Sequence, residues 1–237
     1  MFDASAEFYD LIYTTFKDYK AEAAQIATVL RDLHPDCTTI LDIACGTGEH
    51  ARLLSDIGFV VDGLDLNSAF VGIAREKNPT SRFFHADMSD FQLSCRYDAV
   101  TCLFSSVGYL LTLDRITRAL RCFREHLRPG GVIVVEPWFE PGVLDPRRVT
   151  RNTAETDRCH ITRVSRVEVE GRLSRLRFDY EITDASGIRT ASEVHELGLF
   201  TLPELLSAFR NAGLDVSYDA KGLTGRGLYV ARVAQGK

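Results

Sequence analysis

The run Leu41-Asp42-Ile43-Ala44-Cys45-Gly46-Thr47-Gly48 constrains this chain more than any other stretch. Thr38-Thr39-Ile40 lead into it as a β-branched strand, and helix-like sequence from Glu49 to Ile57 follows directly. A strand that turns through glycine straight into a helix aims several backbone N–H groups at one spot. Gly46 and Gly48 allow the turn and let a ligand lie against bare backbone.

On its own the loop is ambiguous, because Gly46-Thr47-Gly48-Glu49-His50-Ala51 satisfies the dinucleotide pattern G-x-G-x-x-G/A. Three acids separate the readings. Asp42 precedes the glycines where a dinucleotide strand stays apolar, and a carboxylate there suits an ammonium group. Asp65 ends the next apolar run, Phe59 to Leu64, where a carboxylate accepts both hydroxyls of a ribose. Asp87-Met88 follow the run Ser81 to Ala86, placed to accept from an exocyclic adenine amine. In this order at successive strand ends they describe a cradle for S-adenosylmethionine. The competing readings are a NAD-dependent dehydrogenase and a binding module without turnover.

Composition narrows the classes further. A chain of 237 residues, 45% hydrophobic, is one ordinary globular domain. Its net charge of −5 argues against a nucleic-acid partner held through phosphates. The six cysteines form no C-x-x-C pair and no metal-ligand spacing, so no metal and no disulfide framework is expected. Met1-Phe2-Asp3 starts no signal peptide, and no apolar run reaches the ~20 residues of a membrane span. These features predict a cytoplasmic protein with no membrane partner.

Taken in order, residues 1–37 carry an aromatic lid (Phe8, Tyr9, Tyr13, Phe16, Tyr19) and a helix from Tyr19 to Leu33 closed by Pro35. Residues 38–136 alternate strands at 38–43, 59–64, 82–86, 97–104 and 132–136 with helices at 49–57, 68–77 and 113–127. Asn67 or Ser68 caps the second helix and Thr112 the third. This is a doubly wound α/β sheet. Residues 137–158, with Pro137, Pro141 and Pro146, read as irregular. Between 160 and 199 apolar residues alternate, with turns at Glu170-Gly171-Arg172 and Asp184 to Gly187, which predicts a three-stranded antiparallel flap. The inserted segment, 137–200, sits where substrate-binding elements lie over a parallel sheet. Residues 201–237 open with the capping box Thr201 to Glu204 and close the sheet with an antiparallel strand pair.

Asp42-Ile43-Ala44-Cys45-Gly46-Thr47-Gly48, Asp65, Asp87-Met88-Ser89-Asp90-Phe91, Phe104-Ser105-Ser106-Val107-Gly108-Tyr109, Glu136-Pro137-Trp138-Phe139 and Gly225-Arg226-Gly227 can now be taken together. Over nearly its whole length the chain resembles the class I methyltransferases that N,N-dimethylate TDP-aminodeoxysugars in desosamine and mycaminose biosynthesis. The glycine loop marks only the superfamily, whereas Phe-Ser-Ser-Val-Gly-Tyr followed by Glu-Pro-Trp-Phe is far more specific. The resemblance implies a Rossmann-like seven-stranded sheet, S-adenosylmethionine as donor and a nucleotide-linked 3-amino-3,6-dideoxyhexose as acceptor. It also implies cofactor contacts from Tyr9, Tyr19, Ala44, Asp65, Asp87, Met88 and Leu103, to which Asp42, Gly46, Gly48 and Leu66 are added. Tyr109 is placed beside the acceptor nitrogen and Arg226 at the nucleotide end. A homodimer is expected by analogy.

Two departures fall on the acceptor side: Phe2 stands where the family carries a tyrosine, and Arg177 and Asp179 replace an acid and a histidine. Tyr109 and His195 are the candidates for orienting the nucleophile. Tyr13, Phe104, Ser106, Glu136, Trp138 and Phe139 are expected around the acceptor, with Arg163, Arg166 and Arg226 as diphosphate candidates. Another secondary-metabolite scaffold, methylated at N, O or C, is the rival acceptor.

Overall fold

The computed structural model describes residues 6–234, so Phe2 lies outside the described residues. A short 3-10 turn, Ala6–Phe8, runs into α1 (Tyr9–Tyr13) and then α2 (Tyr19–Leu33). Asp18 starts α2 by accepting from the Ala21 amide at 2.9 Å. Its stripe Ala23, Ile26, Ala27 and Leu30 is buried against the sheet. Alternation follows: β1 (Thr39–Ile43), α3 (Glu49–Asp56), β2 (Val60–Asp65), α4 (Ser68–Lys77), β3 (Phe83–His85), β4 (Tyr97–Cys102), α5 (Leu113–Glu125) and β5 (Leu127–Val135). Asn67 caps α4 and Thr112 caps α5, each through its side-chain oxygen.

The third helix stops at Glu125, short of the expected Leu127. Leu127 instead opens β5 opposite Tyr97, and the ladder then shifts register before Val132. Gly131 passes so close to the neighbouring strand that a Cβ there would meet the Asp98 carbonyl at 2.9 Å. Pro129-Gly130-Gly131 is therefore an irregularity inside β5, which begins before the expected 132.

Past β5 the chain forms β6 (Val149–Thr156), β7 (Cys159–Glu170), β8 (Leu173–Asp184) and β9 (Gly187–Gly198), then α6 (Leu202–Asn211), β10 (Leu214–Asp219) and β11 (Leu228–Val233). The main sheet has seven strands in the order β10-β11-β5-β4-β1-β2-β3. β1 to β5 are parallel, while β11 lies antiparallel between β5 and β10. A dinucleotide-binding half has no such wedged antiparallel strand. The strand order reverses between β1 and β4, which opens a crevice beyond their carboxyl ends.

The flap is a four-stranded antiparallel sheet, β6-β7-β8-β9, and not the three strands expected. The extra strand lies in the segment read as irregular. It is an edge strand that buries only Ala154, so it lacks the apolar alternation by which strands are recognised. Flap core residues Ile161, Phe178, Tyr180 and Ile182 pack around Ile12 of α1, which joins lid to flap.

Candidate active site

Ala44, Gly46 and Gly48 all take left-handed backbone angles, with φ of 54°, 56° and 75°. For Ala44 this conformation costs about 1–2 kcal/mol and marks a bend the fold holds by force. The bend presents the Gly46 amide to Asp65, whose Oδ2 accepts it at 2.9 Å while Oδ1 accepts from the Asn67 amide at 2.8 Å. Burial lifts the Asp65 carboxyl above its ordinary value, and the two amides offset this only in part. The group keeps spare lone pairs for further donors. Gly48 borders no hollow; a Cβ there would strike Asn78 Nδ2 at 2.7 Å, so this glycine serves the packing of α3 on α4.

Asp65 opens on a cavity of about 490 Å³ that runs along the carboxyl ends of the parallel strands and under the flap. Tyr9, Ala44, Gly46, Leu66, Asp87 and Met88 line one end. Tyr13, Phe104, Ser106, Tyr109, Trp138, Arg163 and Arg226 line the other. A hollow of about 40 Å³ adjoins it, bordered by Asp42, Tyr19 and Leu103 and sharing Tyr9, Ala44, Gly46, Phe104 and Ser106 with the larger space. Asp42 accepts from Thr101 Oγ1 at 2.8 Å, and burial raises its carboxyl to about 6. Burial also pushes against Asp87, yet donors from Ser89 and Arg115 hold it below its ordinary value.

The lid is latched onto the glycine loop. Asp10 of α1 accepts from Thr47 Oγ1 at 2.5 Å and from Lys77 Nζ at 2.5 Å. Tyr9 packs on Phe70 of α4 with ring centroids 4.9 Å apart.

Under the flap, Arg163 is 5% exposed and caged by aromatic rings, its guanidinium 4.8 Å from Tyr13, 5.3 Å from Phe16 and 4.7 Å from Phe178. Its Nη2 donates to Asn152, but Nε and Nη1 have no hydrogen-bond partner. Among the described residues the other buried side-chain polar atoms without partners are Ser165 Oγ and Arg226 Nε, and these side chains also line the large cavity. Buried donors left unpaired are costly, so their gathering around one cavity marks a place for an acceptor-rich ligand.

A methyltransferase-domain family profile matches residues 40–131. The chain is 41% identical over 226 residues to the dTDP-3-amino-3,6-dideoxy-alpha-D-glucopyranose N,N-dimethyltransferase of Streptomyces fradiae, spanning 94% of this chain and 89% of that enzyme. The chain belongs to the class I S-adenosylmethionine-dependent methyltransferases. Within them it stands among the aminosugar N,N-dimethyltransferases. The crystal structure of Streptomyces venezuelae DesVI matches with a TM-score of 0.91 at 39% identity, over 97% of this chain and 98% of that one. The S-adenosylmethionine-bound structure of CalS10, an amino pentose methyltransferase of Micromonospora echinaspora, matches with a TM-score of 0.84 at 36% identity, over 98% and 97%. With the wedged β11, these relatives close the dehydrogenase reading.

Several expected site residues of this methyltransferase stand elsewhere. Glu136 is fully buried and does not line the cavity; its carboxylate is turned to donors within the protein. It accepts from the Phe104 amide at 2.7 Å, Thr224 Oγ1 at 2.6 Å and Arg226 Nη2 at 3.0 Å. Phe139 is turned against Trp138, ring centroids 4.7 Å apart, and lines neither the cavity nor the adjoining hollow. His195 is buried behind Tyr109, its Nδ1 3.3 Å from the phenol oxygen, and does not reach the cavity. Arg177 and Asp179 pair with each other at 3.0 Å; Asp179 also holds Arg166 at 2.8 Å, and Arg166, unlike them, lines the cavity as expected of a diphosphate candidate. Sequence reading missed Asn67, Phe70, Arg115, Arg148 and Phe178 as cavity walls. Arg115 lay in plain view as a cation in the first turn of α5, three residues past the cap Thr112.

Among the described residues no three His, Cys, Asp or Glu side chains group as a metal site, and no helix is long and apolar enough to cross a membrane.

Proposed function

We propose that this methyltransferase transfers methyl groups to the amino nitrogen of a nucleotide-linked 3-amino-3,6-dideoxyhexose in natural-product biosynthesis. The observation that carries this reading is the single cavity with an acid-lined end and an arginine-lined end. The acid end fits adenosine: Asp65 offers lone pairs to a ribose diol, and Leu66, Met88 and Asp87 frame an adenine. The small hollow with Asp42 and Tyr19 accommodates a methionine tail. When bound, S-adenosylmethionine supplies an already activated methyl group on a sulfonium.

At the other end Arg163 and Arg226 offer unpaired N–H groups to phosphate oxygens, and guanidinium suits that task. Trp138, fixed by its Nε1 donating to Ser174 Oγ at 2.9 Å, walls the sugar. Tyr109 lines the cavity alongside them, and burial pushes its phenol well above the ordinary value, so it stays neutral. The protein's work is to hold nucleophile and methyl in line and exclude water; such positioning supplies up to about 7–11 kcal/mol.

The test is mass spectrometry on purified protein, S-adenosylmethionine and a TDP-3-amino-3,6-dideoxyhexose. Mono- and then dimethylated product with turnover is expected. Cofactor binding without product would discard the sugar and leave the methyltransferase seeking another acceptor.

A further inference from the structure

Strand β9 buries the wrong kind of residue. Its inward row is Ala191, Glu193, His195 and Leu197, while Val194 between them is 56% exposed. The side chains of Glu193 and His195 are 7% and 0% exposed. Burying a carboxylate and an imidazole is costly unless they are hydrogen-bonded, so the two must be held by partners within the flap.

The buried polar groups form a line that ends at the cavity. Tyr180 Oη donates to Glu193 Oε2 at 3.1 Å, and the same oxygen stands 3.5 Å from His195 Nε2. His195 Nδ1 stands 3.3 Å from Tyr109 Oη, the cavity-lining phenol. Phe178 covers the imidazole with ring centroids 5.0 Å apart, and Arg163 of β7 lies beyond it between Phe178 and Tyr13. Tyr9, Tyr13, Tyr180, Glu193 and Asp65 are titratable groups coupled to Tyr109.

We propose that Glu193 and His195 form a buried relay that sets Tyr109 to receive the proton of the acceptor's ammonium group. A carboxylate at Nε2 fixes that nitrogen as the protonated one, so Nδ1 accepts from the Tyr109 hydroxyl. The phenol oxygen is then left with its lone pairs towards the cavity. An amino sugar arrives largely as an ammonium and must lose a proton before its nitrogen has a pair to attack with. The ammonium N–H bond breaks as Tyr109 Oη takes that proton, and the phenol's own proton passes to His195 Nδ1. Tyr109 ends neutral, and the positive charge moves from the sugar nitrogen to an imidazolium beside Glu193. Glu193 and His195 are positioning residues; Tyr109 alone faces the substrate.

This inference rests on an amine acceptor, so it is tested with the nucleotide aminosugar once wild-type turnover is seen. Without wild-type turnover it is the acceptor reading that fails. Glu193→Gln keeps shape and removes the charge. It is expected to lower kcat about 10- to 100-fold near neutral pH with acceptor KM and cofactor affinity unchanged. The deficit should shrink as pH rises from about 7 to 9, where the amine arrives neutral. In Tyr109→Phe, adding Glu193→Gln should cost little more, since the relay is already cut. A pH-independent deficit, additive losses, or no loss in Glu193→Gln would each overturn the relay. If Glu193→Gln does not fold, Tyr180→Phe together with His195→Gln carries the same cycle against Tyr109→Phe.

Discussion

The parallel sheet and the flap build their halves of one cavity by opposite means. The sheet uses strand ends: Asp65 terminates β2, Ala44 and Gly46 follow β1, and the backbone itself grips Asp65 from two sides. The flap uses strand faces, so Arg163 and Phe178 reach the cavity from the middle of β7 and β8. Large buried clusters hold the sheet from both faces, whereas the flap cluster is small and borrows Ile12 from the lid. A cofactor cradle therefore comes with the fold, and an acceptor wall depends on long-range assembly.

Four substitutions sharpen that contrast. Arg226→Met removes the cation that neutralises fully buried Glu136 at the junction of the two regions. It is expected to destabilise the protein by about 3–5 kcal/mol. A denaturant midpoint that barely moves would show that Phe104 and Thr224 suffice to hold Glu136.

Asp42→Asn tests the sheet side through pH. Burial raises this carboxyl to about 6, so below that the folded chain keeps a proton that the unfolded chain has already released. Its contribution to stability therefore falls as pH rises from about 4 to 6 and stays low above, a loss of order 3 kcal/mol. Thermal unfolding of the cofactor-free protein should show Asp42→Asn gaining over wild type at pH 8 and not at pH 4.

Asp65→Ala removes a charged acceptor worth about 1.5–3 kcal/mol, so cofactor affinity should fall at least tenfold by calorimetry. Unchanged affinity would dismantle the cradle. Arg163→Met works on the other half. It should raise acceptor KM about tenfold, a loss near 1.4 kcal/mol, and leave cofactor binding untouched. Equal loss of both would mean that the flap and the sheet are not separable.

Much of the sheet was legible because its signals are local. The caps Asn67 and Thr112, the capping box at α6 and the glycine after each turn are decided by a few neighbouring residues. β6 was missed because an edge strand needs no apolar face, and Leu127 was misplaced because helical spacing continued past Glu125 into β5. Phe178 escaped notice because a strand residue says nothing of which cavity its face borders, and Arg148 because it stands in the irregular segment just before β6.

From sequence alone came a doubly wound sheet with acids at successive strand ends, since strand, turn and helix periods are set within a few residues. Tertiary structure alone decided which polar groups line the cavity. Glu136 turns to Arg226, 90 positions away, and His195 stands behind Tyr109, 86 positions away. A side chain's partner is chosen by packing between distant segments, and no local pattern encodes it.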